Sequence, residues 1–375
     1  MSRALGWPVV LKLDNLQAPG SFKLRGIGKT VAAAAEAGAK KVVSSSGGNA
    51  GLATAYAAKA LGLECTVVLP ESTPKVAADR LAQFGAEAQW HGSVWDEAHA
   101  HAEQIVGALP EGEAFLVHPF EGETTWDGHG SVVEEIASDV HPGAPAAVVT
   151  VVGGGGLLMG ILRGLEKVAG TPKAGRRRPP QAEAFTRVPV IAVETHGADS
   201  LSQSLLAGKL VTLPGIDSVA KSLGAATVSP TVFSEVMARS PGSDVDAGGD
   251  GEERSNIVHS VVLDDLDAVR ACLSFAEDHR MLVEPACGAG LAAVYQRAPP
   301  LLECVEDARR ALEIGEGVDV VGSGAGAGAD PGAAVAAETA PVVVEVCGGA
   351  LVTAAELIAM ERDLAAAAAA GQAKQ

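Results

Sequence analysis

"AVVTVVGGGG" (147–156) runs directly into "LLMGILRGLEKV" (157–168), and this pair sets the reading of the fold. The first six residues are small, apolar or β-branched, the make-up of a strand buried on both faces. Four glycines follow, and then a helix. Glycines let backbone N–H groups converge on an anion, and the helix N-terminus adds its partial positive charge. The ligand of such a junction is a dinucleotide, a nucleotide or a phosphorylated cofactor. The dinucleotide fingerprint needs glycines at i, i+2 and i+5. Counted from Gly153 the third position is Leu158, and from Gly154 it is Met159, so the fingerprint fails. No G-x-x-x-x-G-K-S/T loop is present either. A single phosphate monoester is left as the best fit, with an unliganded tight turn as the plain alternative.

The same alternation runs outward in both directions. "VVLKLD" (9–14), "KKVVSSS" (40–46), "CTVVLP" (65–70), "VPVIAVET" (188–195) and "APVVVEVCGG" (340–349) read as strands. "GIGKTVAAAAEAG" (26–38), "NAGLATAYAAKALG" (49–62), "KVAADRLAQFG" (75–85) and "TAAELIAMERDLAAAAAA" (353–370) read as helices. Continuous apolar strands alternating with helices predict an α/β class with mainly parallel sheets. Three segments break the pattern: 170–187 is basic and Pro-rich, 240–256 acidic and Gly-rich, and 315–340 rich in Gly and Ala. They read as mobile surface insertions, too poor in large apolar groups to pack. The RRR of the first reads as a solvated loop rather than an anion site.

The 375 residues are 47% hydrophobic, enough for two lobes or one large α/β unit. Aromatics are only 3%, so the core must come from Ala, Val, Leu and Ile. A net charge of −18 argues against nucleic acid or an anionic membrane as partner. Five cysteines without a C-x-x-C spacing argue against a disulfide framework or zinc ribbon, and fit a reducing compartment. No run of about 18 uncharged apolar residues suggests a membrane span. "MSRALGWPVVLKLD" lacks a secretory apolar region.

Two further stretches join the glycine loop. "SSSGGNAGLA" (44–53) is a second strand-to-helix junction, where N–H groups around Ser46, Gly47, Gly48, Asn49 and Ala50 face an incoming anion. Taken alone it is an ordinary N-cap. "APGSFKLRG" (18–26) sets Lys23 behind a glycine, a hydroxyl and an aromatic ring. A lysine amine forms a Schiff base with an aldehyde. Pyridoxal phosphate carries both an aldehyde and a phosphate.

With "GSFKLRG", "SSSGGNAG", "VVGGGGLL", "VETHGA", "SVAKSLGA", "MLVEPACGAGLAAVY" and "VVEVCGG" in this order, the chain resembles the serine/threonine dehydratases. These are pyridoxal-phosphate enzymes of the tryptophan-synthase-β fold type, and the animal-type serine dehydratases and serine dehydratase-like proteins resemble it most. The resemblance implies fold type II: two α/β domains, each with a mainly parallel twisted sheet flanked by helices. It puts 1–30 and 138–375 in a large cofactor-binding domain and 31–137 in a small one. Lys23 matches the Schiff-base lysine and the catalytic base, and Phe22 the ring stacked on the pyridine. Gly153, Gly154, Gly155, Gly156 and Leu157 match the phosphate loop. Asn49 matches the partner of the 3′ oxygen, and Cys347 that of the pyridine nitrogen. Ser46, Gly47, Asn49 and Ala50 match the loop that takes the substrate carboxylate. Glu194, with the carbonyls of Ala198, Leu223 and Ala225, matches a monovalent cation (K+) site. Cys287 reads as a packed core thiol.

The implied reaction is β-elimination from L-serine to pyruvate and ammonia, or from L-threonine to 2-oxobutanoate. A cytoplasmic homodimer acting on a small amino acid, with no nucleic-acid or membrane partner, goes with it. A β-replacement enzyme of the cysteine synthase type, and a pyridoxal-phosphate-binding protein with little turnover, are the alternatives. Three departures from the family stand out. A further segment with an early strand usually precedes "VVLKLD", so an edge of the large sheet is expected to be open. Gly47 replaces a frequent Ala or Ser, which loosens the carboxylate loop. "GGALV" follows Cys347 where relatives often carry Ser-Asn.

Overall fold

The computed structural model describes residues 1–71, 73, 75–140, 143–170, 180–240, 257–316 and 339–372. Among the described residues, nine strands fall into two sheets. The first contains β1 (Val9–Lys12), β9 (Val342–Glu345), β6 (Ala147–Val151), β7 (Val190–Thr195) and β8 (Val258–Leu263), in that order. The second contains β4 (Glu87–Trp90), β3 (Glu64–Leu69), β2 (Lys41–Ser44) and β5 (Ala114–Val117). Every strand pairing in both sheets is parallel.

Sequence patterning explains the order. Every residue of β6, β7 and β9 is buried, as expected of central parallel strands covered on both faces. β1 ends the sheet, pairs only with β9 among the described residues, and leaves Val10 39% exposed. It stops at Lys12, two residues short of the "VVLKLD" run, because Asp14–Leu16 turns as a 3-10 helix. The sequence reading missed β4, β5 and β8. β4 and β8 mix polar with apolar residues, β5 is only four residues long, and each carries exposed or half-buried positions.

Part of the first expected insertion is packed, which corrects the surface-loop reading. Pro180–Ala184 is helical, Phe185–Arg187 forms a 3-10 turn, and Phe185 and Val188 are buried in the core. One aromatic ring with an aliphatic neighbour supplies the apolar anchor that the composition of 170–187 obscures. Residues 315 and 316 close the helix Pro299–Glu316. The remainder of the three segments, 171–179, 241–256 and 317–338, lies outside the described residues.

Three helices cross close to the lysine stretch: Lys23–Glu36, Glu123–Asp139 and Gly156–Ala169. Glycine permits the approach. A Cβ on Gly26 would lie 2.5 Å from the Thr125 carbonyl oxygen, and one on Gly164 would lie 2.7 Å from that of Gly130. Helix packing without side chains at the crossing thus sets where the first turn of Lys23–Glu36 sits.

Candidate active site

Lys23 is the first residue of its helix, three positions before the start expected from sequence. Two contacts lay the segment ahead of it along the loop after β9. Ser21 forms an antiparallel bridge with Gly348, and the Phe22 N–H donates to the Cys347 carbonyl at 3.0 Å. These bonds bring Lys23, Phe22 and Cys347 together from opposite ends of the chain. The Lys23 stem is partly exposed, but its amine is fully enclosed. Burial pushes the ammonium down to about 8, against a weaker opposing effect from Cys347. The amine donates to the Pro119 carbonyl at 2.6 Å and lies 5.1 Å from the Phe22 ring centre.

Cys347 is buried, and a hydrogen bond with the Cys287 thiol, then burial, hold its own thiol well above the ordinary range. It is therefore a neutral group. Cys287 is the packed thiol expected from sequence, and it also sits directly against Cys347. Glu345, two residues earlier on β9, is fully enclosed. Burial first, and then the Asp14 carboxylate, push its carboxyl well up. Arg25 grips that Asp14 with two hydrogen bonds, at 2.6 and 2.7 Å.

The glycine loop leaves β6 and opens the helix Gly156–Ala169. Gly155 has φ +91°, a conformation that suits glycine. No side chain caps this helix, and the backbone N–H groups of Gly153 to Leu157 find no acceptor among the described residues. Five unpaired donors at a helix N-terminus fit a phosphate. Phe120 backs the loop: a Cβ on Gly154 would lie 2.4 Å from its ring.

The 44–50 loop leaves β2 and opens the helix Asn49–Leu61. Asn49 Nδ2 donates to Glu284 Oε2 at 3.1 Å, and its Oδ1 accepts the Ala350 N–H at 3.2 Å. Ser46 Oγ accepts the Gly48 N–H at 3.3 Å, and Ala50 is buried. A Cβ on Gly47 would lie 2.9 Å from a Leu69 methyl, so a larger residue here needs the Leu69 side chain to shift.

Glu194 lies on β7 and is buried in the core. Its two oxygens accept the N–H groups of Leu201 and Ser202 at 2.9 and 2.8 Å. Burial pushes its carboxyl up to about 8 against those two bonds. The Leu223 carbonyl accepts the Ala225 N–H at 2.7 Å, and Leu223 abuts Gly153, whose Cβ would lie 3.2 Å from its backbone. Ala198 turns back on Thr195. No group of three or more His, Cys, Asp or Glu side chains among the described residues is arranged to hold a metal ion.

The sequence reading missed Pro119, Phe120, Glu284 and Ser222. Glu284 accepts from Asn49, from Ser222 Oγ at 2.5 Å and from the Leu351 N–H at 2.7 Å. Its signal was available: it stands as N-cap of a helix that opens with Pro285. The "HPF" run at 118–120 had no comparable signal.

Comparison with known proteins agrees with this geometry. The family model described as pyridoxal-phosphate dependent enzyme matches residues 1–306. "Serine dehydratase-like" of Rattus norvegicus is 45% identical over 295 residues, 79% of each chain. "L-serine dehydratase/L-threonine deaminase" of Bos taurus is 36% identical over 364 residues, 97% of this chain and 92% of that one. The solved structure of a fungal L-serine ammonia-lyase from Rhizomucor miehei superposes with a TM-score of 0.71 at 28% identity, covering 96% of this chain and 94% of that chain. Maize serine racemase, at 22% identity and a TM-score of 0.70, shares the fold. With an enclosed lysine, an unpaired set of loop donors and a family match over most of its length, the chain belongs to the pyridoxal-phosphate dependent enzymes of fold type II.

Proposed function

We propose that this protein is a pyridoxal-phosphate-dependent L-serine ammonia-lyase that also takes L-threonine, releasing ammonia with pyruvate or 2-oxobutanoate. The observation that carries the reading is the Lys23 amine, enclosed beside a neutral thiol and bonded to Pro119 next to the glycine loop. Pyridoxal phosphate, when bound, supplies an aldehyde for the lysine and a conjugated ring that stores the electrons of the α-carbon.

The roles of the chain's own groups follow. Lys23 Nζ would hold the cofactor's aldehyde, and as a free amine it would take the α-proton, a task that suits an amine titrating near neutrality. Phe22 would face the pyridine, and Gly153, Gly154, Gly155, Gly156 and Leu157 would take the phosphate with their free N–H groups. Ser46, Gly47, Asn49 and Ala50 receive the substrate carboxylate at the N-terminus of the helix Asn49–Leu61. Asn49 keeps one amide hydrogen beyond its bond to Glu284, which would be available to the 3′ oxygen of the bound cofactor. Cys347 would stand by the pyridine nitrogen of the bound cofactor. A neutral thiol there would not hold a proton on that nitrogen by charge, which would favour loss of the β-hydroxyl over reprotonation. Glu194, Ala198, Leu223 and Ala225 hold a monovalent cation such as K+, which would offset the burial of the Glu194 carboxylate.

Residues 1–30 and 138–375 form the large domain and 31–137 the small one in this reading, with the site between them. The protein acts as a cytoplasmic homodimer. None of the described helices is long and apolar enough to cross a membrane.

Purified protein is given pyridoxal phosphate and then L-serine or L-threonine, and keto acid and ammonia are measured. Borohydride reduction and peptide mapping locate the attached cofactor. Pyruvate formation with the label on Lys23 is expected. A label on Lys29 or Lys221 rejects the site. Thiol addition to O-acetylserine without pyruvate makes the protein a β-replacement enzyme, and a bound cofactor with no product makes it a binding protein.

A further inference from the structure

The turn after β5 touches both Lys23 and the glycine loop, and a histidine holds it. His118 Nδ1 accepts the N–H groups of Phe120 at 3.3 Å and Glu121 at 2.9 Å. Accepting from the backbone two and three residues ahead is what Asp and Asn side chains do in an Asx-turn. Here an imidazole does it. Two donors aimed at one ring nitrogen require that nitrogen to be bare, so the ring is neutral with its hydrogen on Nε2. Burial first, and then His99 and Lys23, hold the imidazolium down to about 4, in keeping with that state.

Each remaining residue of the turn has a task. The Pro119 carbonyl accepts the Lys23 amine at 2.6 Å. The Phe120 ring backs Gly154, and its carbonyl oxygen would lie 2.6 Å from a Cβ on Gly156 while accepting from Trp126 Nε1 at 2.8 Å. A rotation of the Pro119–Phe120 peptide would thus shift the acceptor of the amine and the wall of the glycine loop together. The His118 ring also stands edge-on to Phe120 and to His99, with centres 4.6 and 5.6 Å apart. His99 Nδ1 in turn hydrogen-bonds Ser45 Oγ at 2.9 Å, next to Ser46, and its Nε2 lies 3.9 Å from Glu103.

We propose that His118 is a positioning residue: its bare Nδ1 locks the 118–121 turn so that the Pro119 carbonyl holds the Lys23 amine at one point beside the glycine loop. The proposal rests on Lys23 as the cofactor-bearing lysine. It goes beyond that reading in assigning the residue that aims it. An amine held by one acceptor starts each attack and each proton transfer from the same place. An amine on a free four-carbon stem does not, and the loss falls on the rate rather than on substrate binding.

The test compares His118→Asn with His118→Leu in the full chain. An Asn amide oxygen can accept from the same two N–H groups, whereas Leu offers similar bulk and no acceptor. Three quantities are read: the rate at which added pyridoxal phosphate attaches to Lys23, followed by absorbance, kcat and KM for L-serine, and the thermal midpoint. The Leu variant is expected to lose about tenfold or more in attachment rate and kcat with KM little changed, and the Asn variant to stay within about threefold of the parent. Parental rates in the Leu variant overturn the proposal, as does an equal loss in both variants. Should the Leu variant fail to fold, His118→Ser, a weaker acceptor at the same turn, takes its place. An intermediate loss then supports the proposal and parental rates overturn it. A parent whose cofactor sits on another lysine overturns the reading beneath, and peptide mapping keeps that outcome separate.

Discussion

At the residue scale, two buried titratable groups give the site its pH behaviour. The Lys23 amine titrates near 8 instead of 10.5. Only the free amine attacks an aldehyde, so cofactor attachment should speed up with rising pH and level off just above 8. An unshifted lysine would keep gaining to beyond about 10. Attachment rates followed by absorbance from pH 6 to about 11 decide it, and a rate still climbing at the top removes the enclosed amine from the account. Glu194 is pushed the other way, from 4.5 up to about 8. The folded state then keeps a proton that the unfolded chain loses above 4.5. Stability contributed by this group is fully present below 4.5, falls as pH rises, and is lost by about 8. Glu194→Gln should flatten that slope in denaturant titrations, and K+ should flatten it in the parent if the cation binds there. Neither shift was legible in the sequence. "GSFKLRG" identified the lysine by resemblance, but its enclosure depends on Cys347 and Pro119, which only folding brings near.

At the element scale, glycines decide how closely the lysine-bearing helix approaches its neighbours. Gly26 and Gly28 lie on the same helix with opposite surroundings. A Cβ on Gly26 would press on the Thr125 carbonyl and on His129 Nε2, both at 2.5 Å, whereas one on Gly28 meets only a Leu24 methyl at 3.4 Å. Gly26→Ala should therefore destabilise by about 1–3 kcal/mol through overpacking. Gly28→Ala should stabilise by about 0.5–1 kcal/mol, because alanine loses less backbone freedom on entering a helix. Guanidinium unfolding midpoints compare the two, and equal shifts would mean that the three-helix crossing is not tight. Alternating runs announced the glycine-bounded helices and the central strands. They were silent about β4 and β8, which mix polar with apolar residues, and about the four-residue, half-exposed β5.

At the scale of the whole molecule, one carboxylate ties the two sheets together. Glu284, at the head of a helix packed on the five-stranded sheet, accepts from Asn49 across the site and from Ser222 and Leu351 on its own side. Glu284→Ala leaves three part-exposed donors without that acceptor and should cost about 1–2 kcal/mol. It should also weaken cofactor binding through the freed Asn49, an effect that spectroscopic titration separates from stability. Unchanged affinity would confine Glu284 to a structural part. By itself the sequence determined the α/β class, the strand–glycine–helix junction and, through ordered motifs, the family. Each of these depends on neighbours a few residues apart, where periodicity and glycine placement act directly. Tertiary structure alone decided that Pro119 accepts from Lys23, that a histidine braces Pro119, that Phe120 backs the glycine loop, and that Glu284 spans the site. Those partners meet through parallel strand order and helix crossing, and sequence distance carries no trace of either.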